Sequence, residues 1–556
     1  NITFALPPLT EHQQQALTTI TEGLRERSCA LLHGVTGSGK TEVYIHLIAS
    51  ELAAERDVLL LLPEIALTTQ LIERMERIFG SRVTPYHSGL TPKRRTEIFL
   101  SLCQGEQSGQ GGRFIVGARS AIFLPLNHLG LIIVDEEHDS SYKQNDPSPR
   151  YNARDLAHIV AAQSSAKVVL GSATPSLESW TNAMSGKFAM ARLNRRYGGA
   201  ELPKIVISDT RRAAKRGERR GHLNLDLYRK IEERLERGEQ IMLFQNRRGF
   251  APYIECRECG WVARCPNCNI SLTMHKSNRE LTCHYCNYSE PLPSRCPACK
   301  VGELTPMGFG TEKIEEQIGE LFPTARVLRL DRDTSTSMRK FEQIIGSFAR
   351  HEGDILIGTQ MITKGFDFPD VTLVGILNAD NTLQIPDFRA EERAYSLLTQ
   401  VAGRAGRREG AEAEVVIQTT QPTHRVLQYV VQADYEGLAT TLLEEREAFS
   451  YPPYARLLTI TLKHKCNNRL ARASWRLSQL LRERFGRRVR GPITPPVDRV
   501  MGEWILGFTI RIEAGASSMR AREVMRSIVE QWRAGGNEQE GIESRSIKLT
   551  FDVDPQ

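Results

Sequence analysis

Short apolar runs and helical patterns alternate along most of the chain. The run CALLH at 29–33 is typical of a strand, and TEVYIHLIAS, after a glycine-rich stretch, has helical spacing. The segment LGLIIVDEEH at 129–138 is apolar until it ends in acidic residues, as expected of a strand buried in a parallel sheet. The same alternation returns at 237–250 and 308–322. It predicts two α/β lobes, each built on a parallel sheet.

The last part of the chain follows a different order of elements. RLLTITLKH at 456–464 alternates like a half-buried strand, and the next segment, 468–485, has helical spacing. Further strands are predicted at 487–500, 503–512 and 546–554, with a helix at 517–535. The order β-α-β-β-α-β predicts a small α+β domain of the ferredoxin-like kind.

The glycine-rich stretch HGVTGSGKTEVY at 33–44 fits the pattern G-x-x-x-x-G-K-[ST]. Glycines at such a turn let backbone N–H groups close around phosphates, while the lysine reaches the outer phosphates and the hydroxyl binds Mg²⁺. A chance glycine-rich loop is the alternative, and the strand-loop-helix context argues against it. The residues predicted to bind ATP are Gly34, Thr36, Gly37, Ser38, Gly39, Lys40 and Thr41.

A second motif supports nucleotide hydrolysis. The acids of DEEH stand at the tip of the strand predicted from 129 onwards. We expect Asp135 to hold Mg²⁺ through water and Glu136 to orient and deprotonate the attacking water. Each motif alone is a moderate signal, and their combination on alternating strands and helices is a strong one.

Further segments resemble, in order and spacing, the motifs of superfamily-two helicases. LTEHQ ends at Gln13, where that superfamily places a glutamine that reads adenine; an ordinary helix start capped by Thr10 is the alternative. LLPEIALTTQ (61–70) and IVGARSAIF (115–123) resemble loops that grip one DNA strand. GSATPS (171–176) resembles the segment that couples hydrolysis to movement of the lobes.

The second lobe carries residues expected to complete the site. QVAGRAGR matches the helicase pattern Q-x-x-G-R-x-G-R, with Arg404 and Arg407 spaced to lie on one helical face. An arginine delivered from another lobe to the γ-phosphate can raise the rate by ~10³–10⁵. We predict Arg407 as that arginine, with Arg404 beside it. In the helicase-like segment 355–374, Gly365 and Asp367 are predicted to contact the nucleotide and couple it to DNA.

Eight of the 11 cysteines fall between 256 and 299, in four Cys-x-x-Cys pairs. Residues 1–30 show no basic-then-apolar leader, and no apolar run approaches the ~18 residues of a membrane span. We therefore expect a reducing compartment, no membrane association, and metal binding rather than disulfides. Four thiolates satisfy one tetrahedral Zn²⁺, so eight cysteines predict two zinc ions.

Two ways of pairing these cysteines are open. Fourteen residues separate Cys268 from Cys283, close to a zinc-ribbon loop, so we favour nested sites over a cross-braced arrangement. The nested pairing places one zinc at Cys256, Cys259, Cys296 and Cys299, and a second at Cys265, Cys268, Cys283 and Cys286. Because the cluster interrupts the second lobe, its two ends are expected to lie close together.

The balance of charge bears on the partner. The net charge of +7 is compatible with a polyanion but is weak evidence over so large a chain. Between 256 and 300, six Lys/Arg stand against three Glu. Two Zn(Cys)₄ sites add about −4, which leaves the insertion at about −1. This argues against a phosphate-gripping patch and favours a strand-separating or protein-docking element. Aromatic residues of the insertion either stack on unpaired bases or shield the metals. They are Trp261, Tyr285 and Tyr288.

The combination of these motifs resembles the PriA family of replication-restart helicases. It includes DEEH rather than DEAD, the four cysteine pairs, and DSSYKQNDPSPRYNARDLA at 139–157. The resemblance implies two RecA-like lobes, ATP-driven 3′→5′ DNA unwinding at stalled or abandoned forks, and help in reloading the replisome through primosome assembly. It also implies nested zinc sites and a loop linking DNA to ATP hydrolysis, with Tyr142, Lys143, Arg150 and Tyr151 facing DNA. A plain surface loop is the alternative.

The resemblance also implies partners and a location. The partners are forked and single-stranded DNA, single-stranded-DNA-binding protein, PriB and DnaT, and the location is the cytoplasm at the nucleoid. Family members carry N-terminal DNA-binding domains, which this chain is expected to lack because it begins almost at Gln13. Two other functions are weighed against the helicase: a duplex-DNA translocase without strand separation, and a zinc-stapled recruitment scaffold for replication proteins.

The expected domain limits follow from these elements. They are 1–200 for the first lobe, 201–253 and 301–440 for the second, 254–300 for the zinc module, and 441–556 for the C-terminal domain. The basic segment RRAAKRGERR at 211–220 is interpreted as a mobile loop between the lobes.

Overall fold

The structure is a computed structural model. It describes residues 4–63, 69–104, 112–199, 201–245, 253–256, 261–266, 272–275, 280–283, 288–301, 303–307, 311–331, 334–335, 338–363, 368–383, 387–406, 410 and 412–556. The chain forms two compact units, Asn1–Asn246 with Thr311–Thr441, and Arg247–Gly310 with Leu442–Gln556. Within the described ranges, every helix is too short or too polar to cross a membrane.

The first lobe consists of the helices and strands that precede residue 194. They are α1 (Glu11–Glu26), β1 (Cys29–Gly34), α2 (Lys40–Ala53), β2 (Asp57–Leu61), α3 (Thr69–Phe79), β3 (Val83–Tyr86), α4 (Pro92–Cys103), β4 (Phe114–Gly117), β5 (Leu129–Asp135), α5 (Ala153–Ser164), β6 (Lys167–Ser172), α6 (Leu177–Met184) and β7 (Ala189–Leu193). The strand order is β3-β4-β2-β5-β6-β1-β7, and all neighbours run parallel.

The central strands of this sheet explain the apolar runs in the sequence. All of β2, and all of β5 except its last residue, are buried. A parallel sheet needs crossover helices that cover its faces, so its inner strands lose the polar-apolar alternation of an exposed sheet. Because β5, β6 and β1 are neighbours, the loops that follow them meet at one edge of the sheet.

A second group of elements starts at β8. In chain order they are β8 (Lys204–Asp209), α7 (Thr210–Lys215), β9 (Arg219–Arg220), β10 (Leu223–Asn224), α8 (Leu225–Glu236) and β11 (Gln240–Phe244). The interpretation of 211–220 as a mobile loop between the lobes is therefore wrong. Asp209 caps α7 by accepting from the Arg212 N–H, and β9 pairs with β10. Alanine, lysine and arginine favour a helix here, and Gly217, at φ 67°, follows it.

The cysteine-rich insertion forms an antiparallel sheet of its own. Its strands are β12 (Tyr253–Cys256), β13 (Thr273–His275), β14 (Glu280–Thr282), β15 (Ser289–Pro291) and β16 (Leu304–Met307), in the order β15-β14-β13-β12-β16. The first strand pairs with the last, from Tyr253 opposite Met307 to Cys256 opposite Leu304. The prediction that the ends of the insertion lie close together is confirmed.

The second sheet is completed after the insertion. The elements are α9 (Thr311–Leu321), β17 (Val327–Leu330), α10 (Met338–Ala349), β18 (Ile355–Gly358), β19 (Val371–Ile376), α11 (Asp380–Leu383), α12 (Ala390–Ala402), β20 (Glu414–Thr419), α13 (Arg425–Gln432) and α14 (Tyr435–Ala448). The parallel strand order is β17-β18-β11-β19-β20-β8. The prediction of two α/β lobes with parallel sheets is confirmed.

The C-terminal part has the predicted ferredoxin-like order. Its elements are β21 (Ala455–His464), α15 (Asn467–Phe485), β22 (Val489–Ile493), β23 (Arg499–Val500), β24 (Glu503–Glu513), α16 (Ser518–Ala534), α17 (Glu538–Ser546) and β25 (Lys548–Val553). The main antiparallel sheet runs β22-β24-β21-β25. Helix α17 is not predicted, because its sequence EQEGIESRS has no apolar stripe.

The buried indole of Trp532 yields a test of this domain. Its side chain is 1% exposed, and its N–H donates to the Ala473 carbonyl at 2.8 Å. We expect Trp532→Ala to lower the free energy of unfolding of the domain by about 3–5 kcal/mol, because it leaves a cavity. Hydrogen–deuterium exchange of peptides from 456–553 in rising denaturant measures this.

Trp475 of the same domain serves as the control, since it is 60% exposed. Trp475→Ala is expected to change the stability by less than about 0.5 kcal/mol. Equal losses in both variants would contradict the packing described here.

Candidate nucleotide site and cysteine cluster

The loop between β1 and α2 turns tightly at two glycines. Gly37 and Gly39 have φ values of 79° and 77°, in the left-handed region that favours glycine. A Cβ at Gly39 would lie 2.2 Å from Nε2 of Gln13. Lys40 begins α2, and its Nζ donates to the Gly34 carbonyl at 3.1 Å. The loop thus ends at a helix N-terminus with an ammonium against it, which is a favourable arrangement for phosphate.

Gln13 takes part in the helix start and in the phosphate loop at once. Its Oε1 accepts from the Thr10 N–H at 2.9 Å, which completes a capping box at the start of α1. Its Nε2 donates to the carbonyls of Ser38 and Gly39, at 3.3 and 3.2 Å. The side chain is 1% exposed and ties α1 to the loop. Its contact with adenine stays a prediction.

Asp135 ends β5 on the same edge of the sheet as the phosphate loop. Its Oδ1 accepts from the hydroxyl of Tyr44 at 2.8 Å. Burial, and then the neighbouring charge of Glu136, raise the pKa of Asp135 to about 6, against the opposing effect of Lys40. A poorly solvated carboxylate beside another carboxylate is a place where a divalent cation is strongly stabilised. Together with half-buried Thr41, this fits the predicted Mg²⁺ site.

Tyr44 was not predicted from the sequence. It lies one helical turn after Lys40, and this i,i+4 spacing is the signal that places both on one face of α2. Gly171 on β6 makes room for it, because a Cβ there would lie 1.6 Å from the Tyr44 hydroxyl oxygen. The glycine of GSATPS therefore leaves space for the tyrosine that orients Asp135.

Gln400 of α12 brings the second sheet to the DEEH motif. Its Nε2 lies 2.8 Å from Nε2 of His138 and 3.4 Å from Oε2 of Glu136. Nδ1 of His138 lies 2.7 Å from Oγ of Ser172. With the amide donating to Nε2, the neutral imidazole carries its hydrogen on Nδ1 and donates it to Ser172. One side chain thus links the two lobes and the GSATPS segment.

Glu136 itself has an uncommon backbone conformation. Its φ is 47°, in the left-handed region that non-glycine residues rarely adopt. Such strain concentrates at functional sites, where the surroundings hold it in place. This fits the predicted role of Glu136 beside the phosphate loop.

A second contact joins α12 to GSATPS. The hydroxyl of Thr174 donates to the hydroxyl of Ser396 at 2.9 Å, and both side chains are buried. The Thr174 N–H also donates to Ser172 at 2.9 Å. The segment expected to couple hydrolysis to lobe movement therefore contacts the second lobe directly.

Glu137 holds DEEH and GSATPS together within the first lobe. It is 1% exposed and accepts from the N–H and the hydroxyl of Ser176, at 2.5 and 3.0 Å, and from the hydroxyl of Ser179 at 2.9 Å. Nη1 of Arg154 donates to it at 3.2 Å. A buried carboxylate is tolerated only with such partners. Sequence reasoning missed this role because the partners lie on other elements.

The QVAGRAGR segment reaches the phosphate loop at Gly403. A Cβ at Gly403 would lie 2.3 Å from Oγ1 of Thr36, so a side chain would separate the two lobes here. Arg404 follows directly and is half-buried. The predicted residues outside the described ranges are Arg407, Gly365 and Asp367. Their roles stay predictions.

The prediction that Tyr142 and Lys143 face DNA is wrong. Tyr142 is 1% exposed, and its hydroxyl donates to the Asp135 carbonyl at 2.6 Å, with the Leu61 carbonyl at 3.0 Å. Lys143 is 2% exposed, and its Nζ donates to the Arg150 carbonyl at 2.9 Å. The loop folds back so that both side chains satisfy backbone carbonyls. Tyr142 braces the strand end that carries Asp135, and Lys143 ties the two arms of the loop together.

The outer part of the same loop stays accessible. Nη1 of Arg119 donates to the Lys143 carbonyl at 2.9 Å, which fixes the loop to the segment after β4. The Tyr151 ring lies 4.8 Å from that of Phe123, which is 55% exposed. Arg150 and Tyr151 are half-buried, and their contact with DNA stays a prediction.

Three thiols of the insertion meet at one point. The sulfur atoms of Cys256, Cys296 and Cys299 lie within 4.8 Å of one another, with 3.7 Å between the first and the last. This is the spacing of ligands around one metal ion, and it joins the outer cysteine pairs as the nested arrangement requires. The fourth predicted ligand, Cys259, lies outside the described residues.

Two hairpins of the insertion repeat one geometry. The Cys256 N–H donates to the Trp261 carbonyl and the Cys283 N–H to the Tyr288 carbonyl, both at 2.8 Å and five residues on. Trp261 and Tyr288 pack against the core around Cys265 and Cys283. This favours a shielding role for the two aromatic side chains. The remaining predicted ligands, outside the described residues, are Cys268 and Cys286.

The comparisons with known proteins agree with this geometry. Residues 10–182 match the family described as DEAD/DEAH box helicase, and 309–409 the helicase conserved C-terminal domain. Residues 265–291 match the PriA DNA helicase Cys-rich region domain. Two RecA-like lobes with these motifs define the DEAD/DEAH-box helicase class, to which this chain adds an inserted zinc ribbon.

Full-length relatives narrow the class to one family. Replication restart protein PriA of Bacillus subtilis is 39% identical over 99% of this chain and 66% of the relative. The proteins of that name from Haemophilus influenzae and Rickettsia felis are each 37% identical, over 95% and 91% of this chain and 69% and 76% of their own lengths. The chain belongs to the replication restart protein PriA family. It spans about two thirds of the length of the Bacillus subtilis relative.

The raised pKa of Asp135 predicts a pH-dependent gain in stability for Asp135→Asn. As the pH rises from 3.8, the ordinary pKa, to about 6, the free energy of unfolding falls, because the unfolded chain releases the proton of Asp135 more readily than the folded chain does. Above about pH 6 this loss of stability is complete. Asparagine removes the charge and keeps an oxygen for Tyr44. Without added Mg²⁺ or nucleotide, we expect the urea midpoint to rise relative to the wild-type protein, more at about pH 7.5 than at about pH 5.

Asp146→Asn gives the matched control, because it removes the same charge from an exposed side chain. It is expected to leave the difference from the wild-type protein alike at both pH values. A gain for Asp135→Asn that is equal at both values would contradict the burial argument.

Proposed function

We propose that the chain is an ATP-driven DNA helicase that acts at stalled or abandoned replication forks. The observation that carries this proposal is the contact of Gln400 with Glu136 and His138. A residue of the second lobe thereby touches the residue expected to activate water in the first. Hydrolysis and movement between the lobes are coupled by such a junction.

Each residue of the site has a part in hydrolysis under this proposal. The phosphate loop and Lys40 bind the phosphates, and Glu136 accepts a proton from the attacking water at its carboxylate. Gln400 holds Glu136 by a hydrogen bond, and His138 connects Gln400 to Ser172. Arg404 and Arg407 supply positive charge as the γ-phosphate leaves.

Mg²⁺ is proposed to bind at Thr41 and Asp135. When bound, it neutralises charge on the phosphates. Tyr44 and Tyr142 hold Asp135 in place through its side chain and its carbonyl, respectively. Gly365 and Asp367 are proposed to contact the nucleotide from the second lobe, and Gln13 to contact the adenine.

The DNA-related parts of the proposal rest on the family. We propose 3′→5′ movement along single-stranded DNA, help in primosome assembly, and partners that include single-stranded-DNA-binding protein, PriB and DnaT. Arg150 and Tyr151 are the proposed DNA contacts in the loop after DEEH. The proposed domain limits are those of the sequence analysis.

Hydrolysis of ATP with and without single-stranded DNA, beside strand displacement on forks, tests the function. We expect DNA to stimulate turnover, and unwinding to occur on a 3′ overhang but not on a 5′ overhang. Lys40→Ala should abolish both activities, because the phosphates lose their main cation. Lys93→Ala, an exposed change on α4, is the matched control.

The two rival functions have distinct outcomes in these assays. Hydrolysis stimulated by duplex DNA, with the overhang substrates left intact, would indicate a duplex translocase. Full replication restart by the Lys40→Ala variant in a reconstituted assay would indicate a recruitment scaffold.

Two zinc ions are proposed to bind the insertion and stabilise its fold. Atomic absorption of the purified chain should find two per chain, and about one after Cys256→Ser or Cys265→Ser, because each variant removes a ligand from one site only. Cys103→Ser, at an exposed cysteine outside the cluster, is the control and should keep both. One zinc in the wild-type chain would refute two sites, and loss of both in either single variant would show that the two sites do not fold independently of each other.

A further inference from the structure

Arg196 belongs to none of the predicted motifs, yet it is buried between the two lobes. It lies in the connector 194–203 that joins β7 to β8, and its side chain is 7% exposed. Burial of a guanidinium is unfavourable unless its donors are used, so the partners of Arg196 define its role.

Three of the carbonyls that bind Arg196 lie just beyond the end of α12, and a fourth, that of Glu201 at 3.3 Å, belongs to its own connector. Nη1 donates to the carbonyls of Ala405 and Gly406 at 2.9 and 2.8 Å, and Nη2 to that of Gly403 at 3.3 Å. Carbonyls at a helix C-terminus have no intrahelical donors, and a positive charge there is stabilising. The fork of the guanidinium fits several carbonyls at once, which a single ammonium nitrogen does not.

The same connector contacts the phosphate loop. The Tyr197 N–H donates to the Gly37 carbonyl at 2.8 Å, and the Val35 N–H donates to the Leu193 carbonyl at 3.0 Å. A Cβ at Gly37 would lie 3.8 Å from Cγ of Arg196, so the stem of the arginine lies beside the loop. Arg196 therefore joins the phosphate loop to residues 403–406 of the other lobe.

Residues 403–406 are held from two further directions. Gly403 approaches Thr36, and the Gly406 N–H donates to the Val371 carbonyl at 3.0 Å. Arg404 stands within this fixed segment. Its position relative to the phosphate loop is set by the contacts of its neighbours.

We propose that Arg196 is a positioning residue, which holds the 403–406 segment so that Arg404 is aligned with the phosphates as ATP is cleaved. This inference rests on the proposed ATP hydrolysis. Nη1 and Nη2 of Arg196 already donate to carbonyls, so Arg196 acts through that segment and not on the nucleotide. A misplacement of about 1 Å costs up to about 10²-fold in rate.

Steady-state ATP hydrolysis by Arg196→Ala in the full chain, with saturating single-stranded DNA, tests the proposal. We expect kcat to fall by about 10²-fold, while KM for ATP changes less than about threefold, because the phosphate loop is intact. The matched control is Arg195→Ala, which changes the exposed arginine directly before Arg196. Its kcat and KM should equal those of the wild-type protein. Arg196→Lys keeps the charge but not the fork, and should remain at least about tenfold impaired.

Analogue binding separates positioning from a general loss of structure. ADP with aluminium fluoride imitates the transferring phosphoryl group, and a non-hydrolysable ATP analogue imitates the ground state. We expect Arg196→Ala to weaken the first at least tenfold more than the second. Full activity in Arg196→Ala, full rescue by lysine, or equal weakening of both analogues would each overturn the proposal. Absence of hydrolysis by the wild-type protein would instead refute the proposed function.

Discussion

The close approach of Gly403 to Thr36 is the contact on which the arrangement of the two lobes depends. A Cβ at 403 would lie 2.3 Å from the threonine hydroxyl, so this point of the interface admits only hydrogen. Around it, Gln400 meets His138, and Thr174 meets Ser396. These groups are polar, and their hydrogen bonds can be exchanged for others when the lobes move. The junction also has an apolar part, because the ring of Trp180 lies 5.1 Å from that of Tyr435 and both are buried.

The first lobe stabilises its acidic edge by dividing the charges between different environments. Glu137 is buried and fully engaged with hydroxyls and Arg154, so it serves as a structural tie. Asp135 is half-buried, with one hydroxyl partner and a pKa raised by loss of solvation, and Glu136 is held in a strained conformation beside it. Three consecutive acids thus have three roles, and the roles follow from burial and partners rather than from residue type.

Much of the fold and the centre of the site can be predicted from the sequence, because local patterns carry them. The apolar runs predict the strands, the glycines of the phosphate loop need left-handed conformations, and the cysteine spacing predicts which thiols meet. What the sequence does not reveal depends on distant partners. Tyr44 binds an acid 91 positions away, and Arg196 binds carbonyls 207 to 210 positions away. Tyr142 and Lys143 were misassigned because a polar loop sequence does not disclose that it folds inwards.

The pairing of β12 with β16 has a consequence for how this chain tolerates its insertion. The polypeptide leaves and re-enters the insertion on adjacent hydrogen-bonded strands. The entropy of closing a loop grows only with the logarithm of its length, about 0.6 kcal/mol for each doubling. The cysteine-rich segment therefore acts on the second sheet as a tight turn does, whatever its length. The insertion can therefore become longer or shorter in evolution while the second lobe keeps its fold.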